Sequence, residues 1–158
     1  MSNIFSPSEV IQLGIQIEKN GRDFYLGVAK LAKSEKIRKV LNYLAEEEEK
    51  HIKVFNDILS GIEKYEPQEA YPDEYFAYLR ALSDGYVFTK KKKGEEIAAK
   101  VKDEKEAVEV GINAEKDSIL FYEEMKKFIL KDTYGTIDKL IEEEKKHLSK
   151  LYELKKSF

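Results

Sequence analysis

The chain has 158 residues, 28 Lys and Arg against 31 Asp and Glu, and no Cys. That length fits one domain able to bury its own core, and the missing Cys excludes thiolate-held zinc, iron–sulfur clusters and thiol catalysis. A formal charge of −3 gives no bulk attraction to nucleic acid or to an anionic membrane surface. No apolar run approaches the roughly 20 residues of a membrane span, and Met1–Glu9 has neither the basic nor the apolar region of a secretory signal. Together with the lack of Cys, this predicts a cytoplasmic chain.

The first helix opens on Ser6-Pro7-Ser8-Glu9, an N-cap Ser, a Pro at the first helical position and a Glu three residues after the cap. Apolar residues recur from there, predicting a helix over about 7–33. Ser34 is the next N-cap and opens a second helix over about 35–60, with Gly61 as its C-terminal cap. The connection over about 61–102 holds Pro67 and Pro72. It predicts a short helix around Asp73–Leu82, a turn at Ser83-Asp84-Gly85 and a second short helix around Glu95–Lys102. Asp103 with Glu106 forms a capping box for a third long helix over about 103–130, and a fourth runs over about 133–155. Two helical hairpins joined by a connection of this length predict an all-α, antiparallel four-helix bundle, with the long crossover between helices 2 and 3.

The core-facing positions carry the information. At alternating spacings of three and four, the second helix reads Ile37, Leu41, Leu44, Glu48, His51, Phe55, Ile58, Ile62, and the fourth Ile137, Leu140, Glu144, His147, Leu151, Leu154. The first reads Ile11, Gly14, Glu18, Gly21, Tyr25, Val28, Ala32, and the third Val108, Gly111, Glu115, Ser118, Tyr122, Met125, Ile129. Each pair matches position by position, so the chain is an internal repeat. Each half supplies one lone Glu and one Glu-x-x-His inside an otherwise apolar seam.

Four carboxylates confined together are untenable without compensation, because each costs several kcal/mol to desolvate and each raises the cost of the others. Protonation relieves the charge but leaves four acids and two imidazoles to find partners. Two divalent cations balance four carboxylates directly. Glu and His at i and i+3 lie on one helix face and reach one ion. Carboxylate oxygen with one imidazole per ion suits iron or manganese better than magnesium or calcium, and zinc stays open because its intrinsic affinity is high.

This arrangement resembles the di-iron carboxylate proteins of the ferritin-like superfamily, whose ligand set is one Glu from each of two helices and Glu-x-x-His from each of the other two. It is most similar to the di-iron domain of rubrerythrin. The matching stretches are Ile17-Glu18-Lys19 through Phe24-Tyr25, Ala45 through His51, Ala114-Glu115 through Phe121-Tyr122, and Ile141 through His147. The resemblance implies one ferritin-like di-iron domain over residues 1–158 and a metal ligand set of Glu18, Glu48, His51, Glu115, Glu144 and His147. In it, Glu18 and Glu115 are terminal, Glu48 and Glu144 bridge two iron ions, and each His caps one ion. It further implies a homodimer and an oxidoreductase that reduces peroxide or O2. With no Cys to build a rubredoxin domain, electrons come from a separate donor protein. Rubrerythrins often carry a further Glu where this chain has Ser118, so the seventh carboxylate is missing. Two alternatives therefore stay open: a ferroxidase or iron-handling protein without efficient peroxidase turnover, and a non-catalytic interaction module with a structural metal.

Tyr25 and Tyr122 share the ligand-bearing stripes. One reading makes them core aromatics with locally satisfied hydroxyls. The other makes them hydrogen-bond partners of the ligand carboxylates, or redox participants. Glu47 and Glu143 fall beside the seam, as surface charges or as partners behind the ligands. Gly14 and Gly111 predict close helix packing, and Gly21 with Ser118 predicts space beside the metals. Lys90–Lys93 reads as a solvated loop or as a dock for an acidic electron carrier. Tyr71, Tyr75, Phe76 and Tyr78 read as core or subunit interface.

Overall fold

The computed structural model of the chain describes residues 4–65, 71–72, 77–129 and 131–158. Six α-helices run among these residues: α1 Pro7–Leu31, α2 Glu35–Tyr65, α3 Ala77–Gly85, α4 Lys93–Lys100, α5 Glu104–Met125 and α6 Tyr134–Lys155. A two-residue strand β1, Ile4–Phe5, pairs antiparallel with β2, Tyr71–Pro72, and leaves the all-α class unchanged. None of the described helices is long and apolar enough to cross a membrane.

The four long helices form the bundle. Helix α1 has 25 residues, which at 1.5 Å per residue gives about 37 Å. It starts as its capping residues dictate, with Ser6 Oγ accepting from the Glu9 amide at 3.3 Å and Pro7 in the first turn. It ends at Leu31, where Ala32 turns extended. Ser34 Oγ accepts from the Ile37 amide at 3.4 Å to open α2. Glu104, in the first turn of α5, accepts from the amides of Lys33 and Ser34 and so clamps the first hairpin turn onto the second half of the chain. Asp103 caps α5 through the Glu106 amide at 2.8 Å. Glu106 reaches back to the Lys102 amide at 3.1 Å, one residue earlier than a regular capping box.

Every position of the four apolar stripes is buried. Each fully buried Leu, Ile or Phe among them contributes about 1.5–3 kcal/mol. Two of the three stripe glycines, Gly14 and Gly111, mark tight crossings. A Cβ on Gly14 would meet Phe55 at 3.1 Å and Met125 at 2.9 Å, and one on Gly111 would meet Leu151 at 3.2 Å and Tyr25 at 3.3 Å. Phe55 and Leu151 occupy equivalent positions of the repeat, so both halves use the same device.

Several boundaries differ from the sequence reading. Gly61 does not cap α2. It lies inside the helix on an exposed face, and the helix continues to Tyr65 because the next stripe residue, Ile62, is buried. Ser83-Asp84-Gly85 forms the last turn of α3 rather than a separate turn. Helix α4 lies two residues earlier than expected, entered through Lys92 with φ 61° and stopped by an extended Val101. Helix α5 stops at Met125, and 3-10 turns at Lys126–Phe128 and Lys131–Thr133 lead into α6. Tyr78 is 54 % exposed and is no part of the core. The side chains of Tyr71, Tyr75 and Phe76, and residues 73–76 of the expected short helix, lie outside the described residues.

The crossover packs against the outer face of α1. Gly94 sits directly on the α1 backbone, where a Cβ would overlap the Asn20 carbonyl oxygen at 2.0 Å. Asn20, fully buried, accepts from the Gly94 amide at 3.1 Å and donates to the Phe88 and Lys90 carbonyls at 2.6 and 2.5 Å. One amide side chain thereby fixes the path of residues 88–94.

Candidate metal centre

Helices α1, α2, α5 and α6 each bring their polar stripe residues to the middle of the bundle. Glu18, Glu48, His51, Glu115, Glu144 and His147 lie together there, none more than 4 % exposed. Ligand atoms of Glu18, Glu48, His51 and Glu144 lie within 4.8 Å of one another, and so do those of Glu48, Glu115, Glu144 and His147. The two sets share Glu48 and Glu144. The imidazole rings stack at 5.4 Å with 14° between their planes.

The cluster is incomplete as a hydrogen-bonded network. Glu18 Oε2, Glu48 Oε1, both Glu144 carboxylate oxygens, His51 Nδ1 and His147 Nδ1 are buried with no hydrogen-bond partner. They are nonetheless close. His51 Nδ1 lies 2.8 Å from Glu144 Oε1 and 3.5 Å from Glu18 Oε2, and His147 Nδ1 lies 3.1 Å from Glu48 Oε1 and 3.3 Å from Glu144 Oε2. Buried polar atoms are normally paired. Lone pairs that converge without hydrogen-bond alignment fit cations between them. Gly21 supports the same reading, since a Cβ there would lie 2.9 Å from Glu48 Oε2 and crowd that carboxylate.

With protons alone to balance it, the cluster divides its charge. Burial, reinforced by the neighbouring carboxylates, pushes Glu48 and Glu144 well above the ordinary carboxyl range. Burial opposes ionisation of Glu18 too, but His51 outweighs it and brings Glu18 down to about 2. Glu115 is likewise lowered against burial, by the closeness of Glu144 and of His147, whose Nδ1 lies 3.6 Å from Glu115 Oε1. Both imidazoles are raised despite burial, His51 by the Glu18 charge and His147, to about 11, by Glu115 and Glu144. Two carboxylates and two imidazoliums then cancel. Two divalent ions on four carboxylates give the same neutral sum, so protons and metals compete for one balance.

The tyrosines cross the bundle. Tyr25 of α1 donates to Glu115 Oε1 on α5 at 2.6 Å, and Tyr122 of α5 donates to Glu18 Oε1 on α1 at 2.6 Å. Burial, then these same carboxylates, raise both phenol pKa values, so both remain O–H donors. Their hydroxyls are therefore hydrogen-bond partners of the candidate ligands.

The residues beside the seam differ between the halves. Glu143 Oε2 stands 2.7 Å from His51 Nε2, behind the ring. Its repeat equivalent Glu47 accepts from the Tyr43 hydroxyl at 2.7 Å and pairs with Lys50 at 3.1 Å. Sequence reading missed Tyr86 and Asn20. Tyr86, 5 % exposed, comes from the crossover, and its hydroxyl lies 2.9 Å from the Ala114 carbonyl and 3.0 Å from Ser118 Oγ. An aromatic residue just past a Gly carried no periodic signal.

Comparison with known proteins decides the family. The Rubrerythrin family profile matches residues 9–155. The chain belongs to the rubrerythrin family. A crystal structure of a ferritin-like diiron-carboxylate protein from Thermotoga maritima superposes with a TM-score of 0.75 at 27 % identity, covering 99 % of this chain and 98 % of that one. No curated protein matches. The fold is thus ferritin-like, and the buried Glu and His cluster of this rubrerythrin-family chain suits a di-metal site.

Proposed function

We propose that this rubrerythrin-family chain is a di-iron oxidoreductase that reduces peroxide or O2 with electrons from an external donor protein. The observation that carries the reading is the pair of overlapping ligand sets sharing Glu48 and Glu144. Glu18, Glu48, His51 and Glu144 would hold one iron and Glu48, Glu115, Glu144 and His147 the other. The imidazoles favour iron or manganese over ions that prefer oxygen alone. A bound ferrous pair would supply one electron from each ion, and one hydrogen peroxide takes two electrons and two protons and leaves as two waters. Tyr25 and Tyr122 hold O–H donors against the outer carboxylates, fixing the orientation of Glu115 and Glu18 and keeping protons within reach. The apolar stripes around them exclude bulk water. A cytoplasmic setting, a homodimer and an acidic donor docking on Lys90–Lys93 complete the proposal.

A specific feature favours a second reading. Ser118, in place of a further carboxylate, removes a ligand that would otherwise follow the change in metal charge. That favours ferroxidase or iron handling without efficient turnover. Anaerobic loading with ferrous iron, followed by hydrogen peroxide and a reductant, separates the two. Two ions per chain with repeated rapid turnover supports the oxidoreductase. Two ions with a single slow oxidation supports iron handling. Failure to hold two ions removes both.

A further inference from the structure

Ligands this deeply buried raise the question of how a reactant reaches them. On the α1 side the way is closed by a second layer. Gly94 of α4 rests on the Asn20 backbone, and Gly27 faces Ala98, with a Cβ on Gly27 falling 2.7 Å from the Ala98 Cβ. The α5 side is different. One turn past Glu115 stands Ser118, whose repeat equivalent is Gly21, the residue beside Glu48 Oε2. Over Ser118 lies the Tyr86 hydroxyl at 3.0 Å. The same tyrosine lines a surface hollow of about 220 Å³, together with Ala81, Leu82, Gly85 and Asp117. One residue therefore borders the hollow and, through its hydroxyl, reaches Ala114 and Ser118 on either side of Glu115.

We infer that Tyr86 and Ser118 form the passage through which a small molecule of hydrogen peroxide's size reaches the metal centre, and that they set the size admitted. The inference rests on the metal reading above.

Three further features agree. The Tyr86 ring stacks on Phe88 at 5.5 Å, and Phe88 packs on Phe24 of α1 at 5.9 Å, so one side of the ring is anchored. At its inner end the hydroxyl contacts Ser118 Oγ and the Ala114 carbonyl. Burial raises the phenol pKa, against the lowering effect of the Ser118 contact, and keeps the hydroxyl an O–H. Ser118 adds no bulk beyond its hydroxymethyl, which itself donates to the Ala114 carbonyl at 3.0 Å. Parting the two hydroxyls would leave a gap lined by polar groups at its narrowest point, suited to a small polar molecule and too narrow for a larger one.

The test uses the iron-loaded, oxidised protein and azide, followed by the rise of its absorption band on mixing. Metal content is measured first. A parent protein without two ions sinks the metal reading, and this inference with it. With two ions present, Tyr86→Ala is expected to raise the azide association and dissociation rates together, by about tenfold, with the Kd unchanged. Tyr86→Phe should give a smaller acceleration, and Ser118→Val should slow association. Thiocyanate, longer than azide, should gain more than azide from Tyr86→Ala. A passage changes both rates and leaves the equilibrium alone, whereas a distorted site changes the Kd or the metal content. Association rates within about twofold of the parent in Tyr86→Phe and Ser118→Val, both holding two ions, would overturn the inference even if Tyr86→Ala does not fold.

Discussion

The two halves of the repeat present the same three groups to the centre, a lone Glu and a Glu-x-x-His, and different surroundings to the outside. In the first half, α1 is backed by the crossover helix α4, pinned through Asn20 and Gly94. In the second half, α5 is backed beyond Ser118 by Tyr86. Behind the histidines the difference reverses. His51 has Glu143 at 2.7 Å, while the equivalent Glu47 is engaged by Tyr43 and Lys50. The repeat fixes which groups face the centre. What backs them differs, through the unrepeated crossover behind α1 and α5 and through the unlike partners of Glu47 and Glu143 at the repeated helices, so the two candidate metal positions have unequal surroundings.

The comparison breaks most severely where the halves share residues. Glu48→Gln or Glu144→Gln should damage both positions at once, with affinity falling by more than the roughly 10- to 100-fold typical of an outer hydrogen-bond partner. Metal content by mass spectrometry checks this, and two ions held as tightly as in the parent would refute the ligand assignment.

Acid should act on both halves in the same way. Glu48, Glu144, His51 and His147 all hold protons more tightly than their ordinary values when no cation balances them. Loading two ions near neutral pH should therefore release about four protons, and affinity should fall as pH falls. The metal-stripped protein should show the opposite trend in the imidazoles. Their folded-state pKa values are raised, so their stabilising contribution is complete below about 6.5 and declines as pH rises, His147 losing its share by about 11. Proton release in weakly buffered titrations, and Tm of stripped protein between pH 6 and 9 (a range chosen around the roughly 6.5 of a free imidazole), check the two parts.

On the α1 side alone, Gly94→Ala drives a Cβ into the Asn20 backbone. Overpacking of this kind costs about 1–3 kcal/mol, and here the obstacle is main chain that yields little. A lowered Tm and loss of the crossover's attachment in hydrogen exchange are expected. Unchanged stability would show that α4 is not held where described.

The asymmetry behind the histidines is sharpened by a paired test. Glu143→Gln should weaken one of two cobalt(II) binding steps by about tenfold, while Glu47→Gln leaves both steps near the parent values. Equal effects from the two substitutions would erase the distinction. The smallest effect belongs to Gly61→Ala. The site is exposed and helical, and among the described residues nothing lies within 4 Å of an added Cβ, so the change should stabilise the protein by up to about 1 kcal/mol.

The ligand cluster was legible because a polar residue inside an apolar stripe breaks a period that the rest of the helix keeps. Glu18, Glu48, His51, Glu115, Glu144 and His147 each sit at such a break, and the repeat supplies the pairing. Gly61 misled for the converse reason, since a glycine signals an end only when the apolar period also stops, and Ile62 continues it. Tyr86 and Asn20 had no period to break. Their roles come from contacts across about seventy residues for Asn20, and between the residue just past α3 and the helix α5 for Tyr86, which local spacing does not encode. Glu47 and Glu143 do differ along their helices, with Tyr43 one turn before the first and Lys139 one turn before the second, but that Glu143 stands behind His51 comes from packing between helices, which local spacing does not encode.

Glu104 carries a consequence for the order in which the molecule is built. Its carboxylate satisfies amides seventy positions upstream, at the bend between α1 and α2. A ribosome that has released only the first hairpin leaves those amides to water. The carboxylate that fixes the bend arrives only with the later half, so this contact joins the repeat's two copies and adds to the stability of both at once.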